Sequence, residues 1–122
     1  MSDFAGIVDD YLAVWNEPDA DARAVRIAEM FAAEAAYTDP MAAVTGHEGI
    51  SALIGGARAQ FPGMVFSSGG TVDAHHDIAR FTWHLAPPGA VEPLVVGFDV
   101  IRVDGAGRIA DVLGFLDRVP QA

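Results

Sequence analysis

Pro-Leu-Val-Val-Gly-Phe-Asp-Val-Ile-Arg-Val, residues 93–103, reads as a strand with a carboxylate at its centre. Alternation sets Val95, Gly97, Asp99, Ile101 and Val103 on one face and Val96, Phe98, Val100 and Arg102 on the other. Both faces read as buried, so Asp99 meets an apolar setting whichever way the strand turns. An ionised carboxylate there is costly unless it is paired, hydrogen-bonded or open to a cavity, and the usual release is a raised pKa. Two readings follow. Asp99 is satisfied by a neighbouring arginine or backbone amide, or it is a neutral acid that donates a hydrogen bond, which is a catalytic tool.

The chain on either side supplies the layers that such a strand needs. Phe4, Ile7, Val8, Tyr11, Leu12 and Trp15 fall on one helical face, which predicts an amphipathic helix over 3–15. Asn16-Glu-Pro-Asp is a break, and a second helix runs from Pro18 or the nearby aspartates to about Ala33. Residues 35–39 read as a short strand stopped by Pro40. Thr45-Gly-His-Glu48 has the form of a capping box, opening a third helix with Ile50, Leu53, Ile54, Ala57 and Phe61 on one face. Strands follow at about 64–68, 71–76, 78–86, 94–104 and 108–118, with turns at Gly69-Gly70, His76-Asp77, Pro87–Gly89 and Asp104–Gly107. Helices first and an antiparallel meander after them predict an α+β fold. Three N-terminal helices pack on a strongly curved, mainly antiparallel sheet, a cone with an internal pocket. The 122 residues (1–122) make a single domain.

Composition limits what the pocket can hold. Hydrophobic residues make up 52% and charged residues 20%, yet no apolar run approaches the roughly 20 residues of a membrane span. The apolar surplus therefore belongs to a core, a pocket or a subunit interface, and a homodimer through the outer sheet face is expected. Seven Lys and Arg stand against seventeen Asp and Glu, a net charge of −10. Phosphates and anionic membrane surfaces need cations, so no nucleic acid and no membrane partner is expected, and an apolar small molecule fits best. There is no cysteine, hence no disulfide and no thiol nucleophile. The start of the chain has no signal-like pattern, which predicts a cytoplasmic protein.

Three residues are candidates for chemistry. Tyr11 lies on the apolar stripe of its helix, where a phenol needs a partner for its hydroxyl. Asp39 ends a strand before Pro40, where a side chain can point into the mouth of the fold or simply form a turn. Asp99 is the third. His75, His76, Asp77 and His84 are the closest approach to a metal set, but His76-Asp77 reads as an exposed turn and His84 as part of a polar face, so no metal is expected. His47, just after Thr45, reads as exposed. Trp15, Phe31, Phe61, Phe81, Trp83 and Phe115 read as pocket wall or core, and His84 is a candidate for reaching the pocket. No phosphate or dinucleotide loop is present, so no cofactor is expected.

Four stretches together resemble one family. Tyr-Leu-Ala-Val-Trp (11–15), Phe-Ala-Ala-Glu-Ala-Ala-Tyr-Thr-Asp-Pro (31–40), Gly-His-Glu-Gly-Ile (46–50) and Asp-Val-Ile-Arg-Val-Asp-Gly-Ala-Gly-Arg-Ile (99–109) resemble the SnoaL-like and ketosteroid-isomerase-like branches of the nuclear transport factor 2 superfamily. The resemblance spans essentially the whole chain and implies a cystatin-like α+β cone that dimerises. It implies Asp39 as general base, with Tyr11 and a protonated Asp99 as the two donors of an oxyanion hole; the ketosteroid isomerase is itself the standard case of a neutral carboxylic acid used this way. Such a site enolises a hydrophobic carbonyl compound, as an isomerase or an aldol-type cyclase acting on steroid- or polyketide-like substrates. The same fold also serves non-catalytic, dimeric ligand-binding proteins. The interval from Tyr11 to Asp39 is longer here than in the isomerases by about one helical turn, with the extra residues around Asn16–Ala24. The Arg-x-Asp arrangement of limonene epoxide hydrolases is missing, since Thr82 stands two after Arg80.

Overall fold

In the computed structural model, which describes residues 3–120, helix and strand order follows the hydrophobic pattern closely. Helix α1 spans Phe4–Asn16, α2 Ala20–Met30 and α3 Gly46–Gln60; the strands are β1 Phe31–Thr38, β2 Ala43–Thr45, β3 Val65–Ser68, β4 Asp73–His75, β5 Ile78–Ala86, β6 Val95–Val103 and β7 Ile109–Arg118. They form one sheet in the order β2-β1-β7-β6-β5-β3, with β4 beside β5. All pairings are antiparallel except β1 with β7. Register shifts in β1 between Phe31 and Ala36, and in the β6–β7 ladder, bend the strands and curl the sheet around the helices. The fold is α+β, with three helices on a mixed, mostly antiparallel sheet. Among the described residues no helix is long and apolar enough to cross a membrane.

Two local expectations are corrected. The second helix stops at Met30 rather than near Ala33, because Phe31 turns extended, buries its ring and pairs with Ile109 of β7. Pairing and burial outweigh the helical preference of the alanines that follow. Thr45 makes no side-chain cap bond, so the capping box does not form; Thr45 belongs to β2, and Gly46 at φ +87 makes the turn into α3. The real side-chain caps are Asp3, accepting from the Gly6 amide, and Asp19, accepting from the Ala22 amide.

The carboxyl end of α1 is held from three sides. Arg58 of α3 donates to the Trp15 carbonyl and Arg23 of α2 donates to the Glu17 carbonyl, each at 2.9 Å. Two cations at the negative end of a helix satisfy its free carbonyls and its dipole together. Between them, the Asn16 amide bridges both the N–H and the C=O of Phe66 in β3, as a strand partner would. Trp15 is thereby fixed against Phe66, ring centroids 5.1 Å apart.

Candidate active site

The inward face of β6 is Val95, Gly97, Asp99, Ile101 and Val103, every one buried, while Val96, Phe98 and Val100 on the other face are only half-buried. Asp99 is 2% exposed and, among the described residues, has no cationic partner. What meets it instead is Tyr11: the phenol donates to Asp99 Oδ2 at 3.0 Å across a buried helix–sheet contact. Tyr11 is in turn packed by Phe31 and Phe81, the latter edge-on at 5.8 Å, and by Trp15 one helical turn along.

A cavity of about 890 Å³ opens at this contact. Tyr11, Tyr37, Asp39 and Asp99 mark its polar side, and Leu12, Leu53, Phe61, Phe66, Leu85 and Leu116 are among its apolar walls. Among the described residues no Lys or Arg lines it. Large, mostly apolar and with a few converging polar groups, it has the form of a small-molecule site. Asp39, just past the end of β1, and Asp99 of β6 approach from the two sides of β7, on either side of Gly114, the register partner of Asp99. A Cβ at Gly114 would stand 2.8 Å from Asp99 Oδ1 and 3.3 Å from the Asp39 Cβ. The glycine makes room for both carboxyl groups.

Their environments differ. Asp39 Oδ1 accepts from the backbone amides of Met41 and Ala42, and its Oδ2 accepts from the Tyr37 hydroxyl at 2.7 Å. Three donors on two oxygens suit an acceptor-only carboxylate. Asp99 has its pKa pushed up to about 6 from 3.8, chiefly by burial; the Trp83 indole and the Tyr11 hydroxyl pull it back, and the charge of Asp39 adds to the rise. Burial favours the neutral acid, and the Tyr11 hydroxyl that donates to Oδ2 keeps the charged form accessible against it. Burial, with the nearby Asp99 carboxylate, raises the pKa of Tyr11 well above the usual phenol value, and the same causes act on Tyr37, so both phenols stay neutral donors.

The structure brings Tyr11, Asp39 and Asp99 together on one cavity, with Trp15, Phe61 and Trp83 in its wall. It places the other four expected wall residues elsewhere. Phe31 and Phe81 lie in the core, where they hold the Tyr11 ring. His84 pairs with Val96 and Phe115 with Phe98, so both face outward from the sheet, Phe115 at 59% exposure. His47 is half-buried rather than exposed, its Nε2 bonded to the carbonyls of Phe31 and Ala32 in the bulged stretch of β1. Tyr37 is the site residue that the sequence reading missed. Its signal was present: it stands two residues before Asp39, and the alternation of β1 carried one residue past Thr38 sets the two side chains on the same side.

A family model for the SnoaL-like domain matches residues 8–112. The chain belongs to the SnoaL-like family. Among solved structures, a SnoaL-like protein of Agrobacterium tumefaciens named as a proposed isomerase is 39% identical, with 93% of this chain and 96% of that one covered at a TM-score of 0.88. A proposed polyketide cyclase of Sinorhizobium meliloti is 22% identical, with 89% and 93% covered and a TM-score of 0.69. A SnoaL-like protein of unknown function from Burkholderia thailandensis is 18% identical, with 92% of each chain covered and a TM-score of 0.72. The last two likenesses speak for the SnoaL-like fold alone. No curated protein matches the chain.

Proposed function

We propose that this SnoaL-like protein is a cofactor-independent enzyme that enolises a hydrophobic carbonyl compound, steroid- or polyketide-like in size, as an isomerase or an aldol-type cyclase. The observation that carries the proposal is the opening of Tyr11, Asp39 and Asp99 onto one apolar cavity. Asp39, held by three donors at the strand end, removes the proton next to the carbonyl. Tyr11 and the acid form of Asp99 donate to the oxygen on which charge develops. In the resting site Tyr11 donates to Asp99; when the ligand binds, its oxygen accepts the Tyr11 hydrogen bond in place of Asp99, and Asp99 takes up one proton from solvent and donates it as a second hydrogen bond. With a pKa of about 6, protonating Asp99 at pH 7 costs only about 1.4 kcal/mol, well within the energy of a new oxyanion hydrogen bond. In an isomerisation Asp39 returns its proton to another carbon; in an aldol closure the new alkoxide receives it. A module that only binds has no need of a carboxylate beside the two donors, and Asp39 favours the enzyme.

The protein acts as a homodimer through the outer face of the sheet, where Val96, Phe98, Val100, Leu113 and Phe115 form an apolar stripe across β6 and β7. Leu113 is 48% exposed there and Phe115 59%.

Phenols test the site without a known substrate, because a phenolate mimics the enolate. Hydrophobic phenols are expected to bind the wild type and Asp39→Asn alike, and to bind Tyr11→Phe and Asp99→Leu at least tenfold more weakly, the loss of about one hydrogen bond to a charged oxygen. Equal binding by all four proteins would remove the oxyanion site and leave a binding module.

A further inference from the structure

The indole of Trp83 is laid flat across a glycine beside Asp99. Trp83 and Gly97 are register partners on adjacent strands, and both face the interior. A Cβ on Gly97 would overlap the six-membered ring of Trp83 at Cζ2 and Cε2, and would stand 2.6 Å from Nε1. No side chain other than hydrogen fits at 97 while the indole stays where it is. Gly97 lies two residues before Asp99 on the same strand face, so the indole seated on it lies beside the Asp99 side chain. The groups facing Asp99 are then Tyr11 from α1, Trp83 from β5, Tyr37 and Asp39 from β1 and its end, and Gly114 from β7. Tyr11 holds Oδ2 from the helix side, and Oδ1 leans over Gly114 toward Asp39.

We propose that Trp83, seated on Gly97, is a positioning residue of the active site: its indole N–H is the second donor to the Asp99 carboxyl and fixes the orientation in which that group meets the ligand. The proposal rests on the enolisation reading for its purpose, and on the geometry of residues 83, 97 and 99 for its existence. A phenol and an indole N–H holding the same carboxyl leave Asp99 ready to accept or donate with small motions. The loss of the indole N–H leaves Tyr11 as its one side-chain donor. The hydrogen-bonding of Trp83 also acts on the Asp99 pKa in the direction required, downward against burial. Glycine at 97 is therefore a requirement of the site and is not imposed by the strand, whose backbone at this position any residue can adopt.

The test needs no ligand. Protein labelled with ¹³C at the aspartate carboxyl carbons is titrated with acid, the Asp99 signal being assigned by its loss in Asp99→Asn. The wild-type midpoint is expected near 6. Trp83→Phe keeps a ring over Gly97 without the N–H, and is expected to raise the midpoint by roughly half a unit to one unit, the worth of one hydrogen bond. Gly97→Ala displaces the indole and is expected to give a similar rise, with the double variant no higher than either single one. An unmoved midpoint in Trp83→Phe, or a wild-type midpoint in folded Gly97→Ala, overturns the proposal. If Gly97→Ala does not fold, Trp83→Phe decides alone. A raised midpoint in a protein that binds no phenol keeps the seating and the donor while the enolisation reading falls.

Discussion

Replacing Asp99 by asparagine removes a buried charge and keeps the shape, which turns the pKa of Asp99 into a measurable dependence of stability on pH. Asp99 rises from 3.8 to about 6 on folding, so between these values the folded protein holds more of the proton than the unfolded chain does. Stability contributed through this group is then fully present below about 3.8 and is lost as pH climbs toward 6 and beyond. The span of roughly two units corresponds to about 3 kcal/mol. Asparagine at 99 does not titrate and can still accept from Tyr11. Its stability relative to the wild type should therefore increase by about 2.4 kcal/mol between pH 4 and pH 8, the rest of the span falling below pH 4, whatever the offset at either end. Urea unfolding of both proteins at pH 4, 5, 6, 7 and 8 gives the difference directly, since most other titrating groups cancel. Two parallel stability profiles would refute the reasoning and place the Asp99 pKa at its ordinary value in the fold.

Further outcomes follow from the same contacts. Tyr37→Phe deletes the 2.7 Å bond to Asp39 and should lower turnover roughly 10- to 100-fold with little change in phenol affinity, read as kcat against KM once a substrate is known and as phenol binding before that. Phe115→Glu sets a charge in the apolar stripe and should convert a dimer into a monomer in sedimentation at micromolar concentration, with unfolding of the separated subunit close to that of the parent. Wild-type protein sedimenting as a clean monomer would remove the dimer from the account. Ile54→Ala empties a fully buried position of α3 and should cost about 2–5 kcal/mol in urea unfolding.

Periodicity carried most of the fold. The stripe from Phe4 to Trp15 and the alternation in β5, β6 and β7 are long patterns with one physical interpretation each. The stretch from Phe31 to Thr45 was harder, because Ala-rich sequence suits a helix locally and becomes a strand only through its pairing with β7. The candidate carboxylates were legible for a related reason: a charge in an apolar strand and a carboxylate at a strand end stand out from their surroundings. Aromatic residues do not. Phe31 and Phe81 share inward faces with true wall residues, and only packing of the helices decides that they meet Tyr11 and not the cavity. Phe115 and His84 depended on parity. Trp83 faces inward, so its neighbour His84 cannot, and Gly114 opposite Asp99 sends Phe115 outward. The seat of Trp83 on Gly97 is a contact between strands that only the register reveals.

Enolisation itself is the central claim, and proton exchange reports it without the full reaction. A panel of hydrophobic ketones of steroid size is incubated with the protein in D₂O, and loss of the α-proton signals is followed by NMR. The account predicts exchange well above the solvent rate for at least one member with wild-type protein, abolished in Asp39→Asn and strongly reduced in Tyr11→Phe. Exchange that persists unchanged in Asp39→Asn, or that never exceeds the solvent rate for any ketone the cavity demonstrably binds, would contradict it.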